Sequence, residues 1–329
     1  MVSEAKGKSF FKNLLQRKEE RGLLGFEAAT LVYIIITGVI IMFEWGELSS
    51  PFSMVVARCI FVACILAGIA VHHRFPCKAS VMLRVAICFL GLIYWYPETY
   101  SFCSIFPYQD HVFANIDYSV FGFQPSLEFS NYLNSTFWYE LFSLGYYSYY
   151  YLMIAMVLFY FIARYDDFQR ASFVFLFSFF LFYLVFDFLP VAGPQYYYCA
   201  NGVEMGSLDQ FPEMGDYFKT HTDILPMDVR GFFSQQVLNI QEHGENPTAA
   251  FPSSHVGMAM VTMLLSWQAR NRWLFWILLL FSVVLFFATV YLKAHYVVDS
   301  VSGLFFGYLF FKISELIFPW FSRTFHLKP

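Results

Sequence analysis

Residues 273–292 read WLFWILLLFSVVLFFATVYL, twenty positions without one charged side chain. A helix needs roughly 20 apolar residues to cross a bilayer core. Lipid offers no partner for backbone N–H and C=O groups, so such a run predicts a helix. Seven further stretches are apolar enough, and long enough or nearly so, to cross as well, near 23–43, 52–71, 81–97, 138–163, 171–190, 250–267 and 297–318. The third and sixth of the eight, 81–97 and 250–267, are the shortest. Phe173 to Phe188 is strand-like by propensity, and the membrane setting overrules that.

The expected fold is therefore all-α: a polytopic integral membrane bundle of about eight transmembrane helices. Residues 1–22 form a basic N-terminal segment, 23–320 a single transmembrane domain and 321–329 a short tail. Composition agrees. Hydrophobic residues make up 58 % of the 329 and charged residues 13 %, with 43 Phe and 23 Tyr. Soluble domains run at roughly 45–50 % apolar and about 25 % charged. A soluble enzyme, a nucleic-acid binder and a disordered chain are all excluded on this ground. The net charge of −4 says little, because topology depends on where Lys and Arg sit.

Sixteen of the 20 basic residues fall on one side of the eight-span arrangement. They include Lys6, Lys8, Lys12, Arg17, Lys18 and Arg21 before the first stretch, and Arg74, Arg164, Arg270 and Arg323 further on. The other side holds only Arg58, Lys219, Arg230 and Lys293. Both termini are expected in the cytoplasm. No small-x-small cleavage site follows the first stretch, so an uncleaved anchor is expected. The basic lead reads as a topology signal before it reads as a leaflet-binding segment.

Two outer segments, 98–137 and 191–249, are long enough to be functional or disordered. Cys59, Cys64 and Cys88 fall within stretches and Cys77 on the inner side. Cys103 and Cys199 share the outer face, which leaves a disulfide open. Asp187 and Arg58 fall in the outer third of their stretches, where pairing or snorkelling is the first reading. Tyr146, Tyr147, Tyr149, Tyr150 and Tyr151 read as core packing or as the wall of a polar cleft.

Of eight His, six belong to helix ends or loops where a surface role is the default. His255 and His295 differ. His255 ends Phe251-Pro-Ser-Ser-His255, and His295 stands four residues before Asp299, on the same helical face if the segment is helical. A carboxylate there can keep one ring nitrogen protonated and leave the other as a nucleophile. Pro252, Ser253 and Ser254 suit a helix start, whose free N–H groups bind anions such as phosphate. One His beside an anion cradle and a second oriented by Asp is a phosphotransfer layout: one attacks phosphorus, the other protonates the leaving oxygen. Either His alone reads as a satisfied interfacial residue; the argument rests on the two together. No His-Glu-x-x-His string exists, and no metal is expected.

Pro-Ser-Ser-His255 and His295-x-x-x-Asp299 resemble the second and third signature motifs of the type 2 phosphatidic acid phosphatase superfamily, over residues 250–305. The resemblance implies His255 as general acid, His295 as the nucleophile that becomes phosphohistidine, Asp299 as its orienter, and no cofactor. The first motif, a Lys followed after six residues by Arg-Pro, is missing, and Ala288-Thr289 stands where the third usually begins Ser-Arg. The same departures occur in the inositol phosphorylceramide synthases and their bacterial relatives. That branch is similar in Tyr291-Leu-x-x-His-Tyr-x-x-Asp299, Asp117-x-x-x-Phe-Gly-x-x-Pro125 and Gly193-Pro-x-x-Tyr197. Ser253, Ser254, Lys293, Tyr291 and Gln195 are the expected contacts to the substrate phosphate.

A phosphomonoester rewards a cluster of cations, and a singly charged phosphodiester needs fewer. The missing cations favour transfer of a phospho-headgroup between membrane lipids at the extracytoplasmic or lumenal face. Lipid phosphate hydrolysis is the alternative, with Lys293, Lys219 or Arg230 as replacement cations. A transporter or scaffold is a third reading, but the span-interrupting Gly/Pro pairs in matched halves are absent. The expected partners are lipid substrates and not nucleic acid; the oligomeric state is open.

Overall fold

The computed structural model describes residues 13–18, 20–206 and 209–327. Lys6, Lys8, Lys12 and Lys328, with most of the basic lead, lie outside the described residues. Twelve α-helices account for nearly all regular structure there. They are α1 (Gly25–Phe43), α2 (Pro51–Arg74), α3 (Lys78–Phe102), α4 (Asp110–Phe121), α5 (Pro125–Tyr132) and α6 (Thr136–Ala163). There follow α7 (Tyr165–Phe188), α8 (Pro194–Asn201), α9 (Phe232–Gly244), α10 (Ser254–Gln268), α11 (Arg272–Tyr291) and α12 (Val297–Phe325).

Seven of these, α1, α2, α3, α6, α7, α11 and α12, are long and apolar enough to cross a membrane. The sixth expected stretch departs from the rest: its helix, α10, has 15 residues. At 1.5 Å per residue that is about 22 Å, short of a ~30 Å hydrocarbon core. The apolar count from residue 250 had included Ala250, Phe251 and Pro252, which precede the helix. Ser253 caps it, its Oγ accepting from Val256 N at 3.4 Å, and Ala269 closes it.

The chain forms two compact units. The first comprises 1–94, 160–177 and 313–329. Here α1 packs on α2, and Gly68 of α2 meets Ile87 so closely that an added Cβ would lie 2.8 Å from its Cδ1. Arg84 donates to both oxygens of Glu27 at 2.7 and 2.5 Å, in full burial. Arg170 bonds Glu315 at 2.8 Å. Arg58 is buried and donates to the Met54 carbonyl at 3.0 Å.

The second unit comprises 95–159 and 178–312 and holds every candidate site residue. Helices α10 and α11 form an antiparallel hairpin, and α5 packs on α11. Gly303 and Gly307 of α12 press against the start of α10. A Cβ at Gly307 would stand 2.4 Å from the Gly257 carbonyl oxygen, and one at Gly303 2.6 Å from that of Ser253. Small residues four apart permit this backbone-to-backbone crossing. The described residues of the two long segments 98–137 and 191–249 are folded. They supply α4, α5, α8 and α9 and most of a buried cluster that includes Tyr108, Phe113, Tyr196, Tyr197, Tyr198 and Phe218, to which Tyr296 is added from just before α12. Cys103 and Cys199 are free thiols, so the open disulfide is not formed; Cys103 instead contacts the Thr248 hydroxyl at 2.9 Å.

Candidate active site

His295 lies in the turn between α11 and α12. The turn closes α11 through Leu292 N to Ala288 O, Lys293 N to Val290 O and His295 N to Thr289 O, each 2.9–3.0 Å. Lys293 takes a left-handed conformation there, with φ of 61°. Thr289, where the family motif would carry Arg, hydrogen-bonds Ser300 at 2.8 Å and ties α11 to α12.

Carboxylates occupy the first free N–H groups of α12. Asp117 accepts from Val297 N at 2.7 Å and Val298 N at 3.1 Å, and Asp299 Oδ2 accepts from Tyr296 N at 2.9 Å. This is helix capping in which negative charge meets the positive end of the dipole. Asp110 holds the neighbouring strap: its oxygens accept from Ala192 N at 2.9 Å, Gly193 N at 2.8 Å and the Tyr296 hydroxyl at 3.2 Å. Gly193 has φ of 97°, and a Cβ there would stand 2.7 Å from the Ala294 carbonyl oxygen. Only glycine admits that approach. The strap then binds Lys293 O through Gln195 N at 2.8 Å, and Val191 O accepts from Ala250 N at 3.0 Å.

The result is a fixed imidazole. His295 Nδ1 bonds the Ala250 carbonyl oxygen at 2.7 Å and stands 3.8 Å from Asp299 Oδ2. With Nδ1 donating, Nε2 carries the lone pair. It faces His255 Nδ1 at 3.4 Å. Burial pushes the His295 imidazolium down to about 4, against the Ala250 bond, so the ring is neutral at physiological pH. Burial raises Asp110 and Asp117 to about 6, opposed by the backbone N–H groups that each accepts.

His255 sits in the first turn of α10, fastened by Ser253 N donating to Asp299 O at 3.0 Å. Its ring lies between tyrosines of α6: Tyr146 stacks at 4.6 Å between centroids, Tyr149 lies at 4.7 Å, and Tyr150 meets it edge-on at 6.4 Å. His255 Nε2 is buried without a hydrogen-bond partner among the described residues. The tyrosine run thus divides, since Tyr147 and Tyr151 bond each other at 2.7 Å away from the imidazole.

The fold brings together His255, His295, Asp299, Ser253 and Ser254, with the Gln195 backbone bonded to the same turn. Two expected phosphate contacts are engaged elsewhere. Lys293 Nζ donates to Ser130 at 3.0 Å, and Tyr291 donates to the Leu133 carbonyl at 2.8 Å. Burial lowers the Lys293 ammonium. Lys219 bonds Asp216 at 2.6 Å, and Arg230 bonds Asp228 at 2.6 Å. The residues that escaped sequence reading are Asp110, the Ala250 carbonyl and Glu245. Glu245 accepts from Tyr146 and, at 3.0 Å, from Gln195 Nε2.

The model of the PAP2 superfamily matches residues 113–313. That span covers well over half of the chain and contains both His motifs, so this protein belongs to the PAP2 superfamily. It is a helical membrane protein of a superfamily of lipid phosphatases and phosphotransferases. No curated protein and no solved structure matches the chain.

Proposed function

We propose that this protein transfers a phospho-headgroup from a membrane phospholipid to a lipid alcohol, as inositol phosphorylceramide synthases do, at the extracytoplasmic or lumenal face. The observation that carries this reading is the partnering of the outer-face cations. Lys219, Arg230 and Lys293 each bond a residue other than the His pair. A dianionic phosphomonoester would meet Asp299 with no uncommitted cation among Lys219, Arg230 and Lys293 to offset it; a phosphodiester brings one charge fewer.

The chemistry runs on two imidazoles. His295 Nε2 attacks phosphorus while Nδ1–H stays on the Ala250 carbonyl, with Asp299 steadying the positive charge that develops. The bond from phosphorus to the glyceride oxygen breaks, and that oxygen takes a proton from His255. The headgroup phosphate is then covalently bound to His295. A lipid hydroxyl attacks it, gives its proton to His255 and releases the imidazole. The tyrosines around His255 exclude bulk water, which favours a lipid acceptor over hydrolysis. The two rings are 3.4 Å apart, so seating a phosphoryl group separates them.

The test is purified protein given a phospholipid donor and a fluorescent lipid alcohol, in parallel with phosphatidic acid. Headgroup transfer with slow phosphate release supports the reading. Fast release of inorganic phosphate from phosphatidic acid, with no transfer product, replaces it with a plain phosphatase.

A further inference from the structure

The segment that leads into α1 is basic, and it is stitched to the turn between α2 and α3. Lys18 N donates to the Pro76 carbonyl at 2.9 Å and Lys78 N to the Gln16 carbonyl at 3.2 Å, and Arg17 pairs with Cys77 in an antiparallel bridge. Further along, Arg21–Gly22 pairs with His326–Leu327, and Arg84 donates to the Gly22 carbonyl at 2.8 Å. All of these residues belong to the first unit. Charge alone sets topology, and charge alone needs no fixed seat on the folded unit.

Lys18 and Lys78 each follow a member of that bridge, and both side chains turn to one ring. Their Nζ atoms stand 5.2 and 4.6 Å from the ring centroid of Tyr165, at the start of α7. The two ammoniums are therefore no more than about 10 Å apart, near the ~8 Å screening length of physiological salt, and they repel. Their partners are neutral: the ring face, and Asn13 Oδ1, which accepts from Lys78 at 2.9 Å. No carboxylate among the described residues pairs with either lysine. Glu20 accepts from Gln169, Asp167 faces Arg170 at 3.6 Å, and Asp166 is exposed. Elsewhere in this unit Arg84 is neutralised by Glu27 and Arg170 by Glu315.

The place and the shape of the site point to a lipid anion. The starts of α3 and α7 and the end of α6, all crossing helices, meet here, which puts the two lysines at a membrane surface. A crevice beside Lys78 is lined by Asn13, Leu14, Phe161 and Ile162. Ile162 is 59 % exposed, so this apolar wall continues onto the outer flank of α6. A phosphate joined to an acyl chain uses both features; a soluble anion uses only the cations. We infer that Lys18, Lys78 and Asn13 hold the phosphate of an anionic phospholipid from the leaflet on the N-terminal side, with an acyl chain along Phe161 and Ile162. The lipid offsets two charges that the protein leaves unpaired and fastens the basic lead to α3 and α7. A zwitterionic lipid brings its own ammonium toward the lysines and binds less tightly. The site lies in the first unit and the His pair in the second, and its occupancy does not depend on which reaction that pair performs.

The experiment uses delipidated full-length protein in a neutral detergent, with bound lipid counted by native mass spectrometry. The probes are phosphatidylglycerol, phosphatidylcholine and inorganic phosphate. Wild type is expected to hold phosphatidylglycerol about tenfold more tightly than phosphatidylcholine, with no competition from inorganic phosphate. Lys18→Met combined with Lys78→Met keeps both stems and removes both charges. It should weaken phosphatidylglycerol binding about tenfold and leave phosphatidylcholine binding unchanged. Lys312→Met, which removes a lone exposed cation over Tyr308, should change neither. Hydrogen exchange locates the lipid: phosphatidylglycerol should slow exchange at 13–18 in wild type and not in the double variant. If the double variant fails to fold, Lys18→Met alone decides, with a loss of about threefold. Unchanged phosphatidylglycerol binding in the lysine variants overturns the inference. So does an equal loss in Lys312→Met, which would mean diffuse attraction to a basic surface. Competition by inorganic phosphate overturns the lipid in favour of a soluble anion.

Discussion

The Nδ1 proton of His295 is taken by the carbonyl of Ala250 at 2.7 Å, while the Asp299 carboxylate stands back at 3.8 Å. A backbone carbonyl cannot titrate, and this one cannot rotate away without moving the segment that leads into α10, which Val191 O also holds through Ala250 N. The tautomer of His295 therefore has two guardians of unequal distance, the carbonyl near and the carboxyl group farther off.

That division sets the expected ranking of variants. Removing the nucleophile in His295→Ala should abolish turnover, a loss of about 10⁴-fold or more, and His255→Ala should cost about 10²–10⁴-fold as a lost general acid. Asp299→Asn should cost less than either, because the Ala250 carbonyl still holds the Nδ1 proton of His295. Single-turnover assays on protein that still elutes as a folded species from detergent gel filtration check the order. Wild-type turnover by His295→Ala removes the central claim.

The burial of His295 also has a sign in pH. Its folded value of about 4 lies below the unfolded 6.5, so the unfolded chain binds the extra proton between those limits. The stability contributed is complete above pH 6.5 and is lost as pH falls toward 4, up to about 3 kcal/mol. Asp110 and Asp117, raised from 3.8 to about 6, act the opposite way and gain stability over the fall from 6 to 3.8. The clean readout is a difference. Between pH 6.5 and 4.5 the thermal midpoint of wild type should fall more than that of His295→Gln. Parallel curves would show that His295 is protonated at its ordinary value.

Much of this site was readable in the chain because its chemistry is carried by short spacings. Ser253 and His255 are two residues apart at a helix start, and His295 and Asp299 four apart across the start of α12, so sequence distance stands in for spatial distance. The rest has no such signal. Ala250 acts through a carbonyl, which every residue owns. Asp110 is 82 residues from Ala192, whose N–H it accepts, and nothing in its neighbourhood marks a capping acid. Glu245 meets Tyr146 across 99 residues. Hydropathy counted the residues before Ser253 into a membrane stretch although Pro252 and Ser253 mark a helix start. The Gly303-x-x-x-Gly307 spacing is visible in the sequence, but two glycines four apart do not say which helix they meet.

That spacing carries its own expectation. Gly307→Ala would place a methyl group 2.4 Å from the Gly257 carbonyl oxygen, a backbone atom that cannot swing aside. Overpacking of this kind costs about 1–3 kcal/mol. Gly46→Ala is the control, with nothing within 4 Å of its Cβ, and should stay within about 0.5 kcal/mol of wild type. Denaturation midpoints in one detergent compare the two directly. A neutral Gly307→Ala would mean that α10 and α12 are not in backbone contact.

The shortness of α10 decides the topology, and labelling can read it. Seven crossings would leave the termini on opposite faces; an eighth, through α10, returns both to the same side. Arg270 and Arg272 follow α10, and the preference of basic residues for the cytoplasm would put that end inside if the helix, only about 22 Å long, crosses. Single cysteines in a background lacking the six native ones should report this with a reagent that cannot cross membranes. Cysteine at Glu213, exposed in the segment between α8 and α9, should react from outside in intact cells. Cysteine at Leu15, Arg74, Arg270 or Arg323, all exposed, should react only after permeabilisation. Labelling of Leu15 and Arg323 from opposite sides would show that α10 does not cross. Labelling of Glu213 only after permeabilisation would turn the His pair toward the cytoplasmic leaflet and change the pool of donor lipids that it meets.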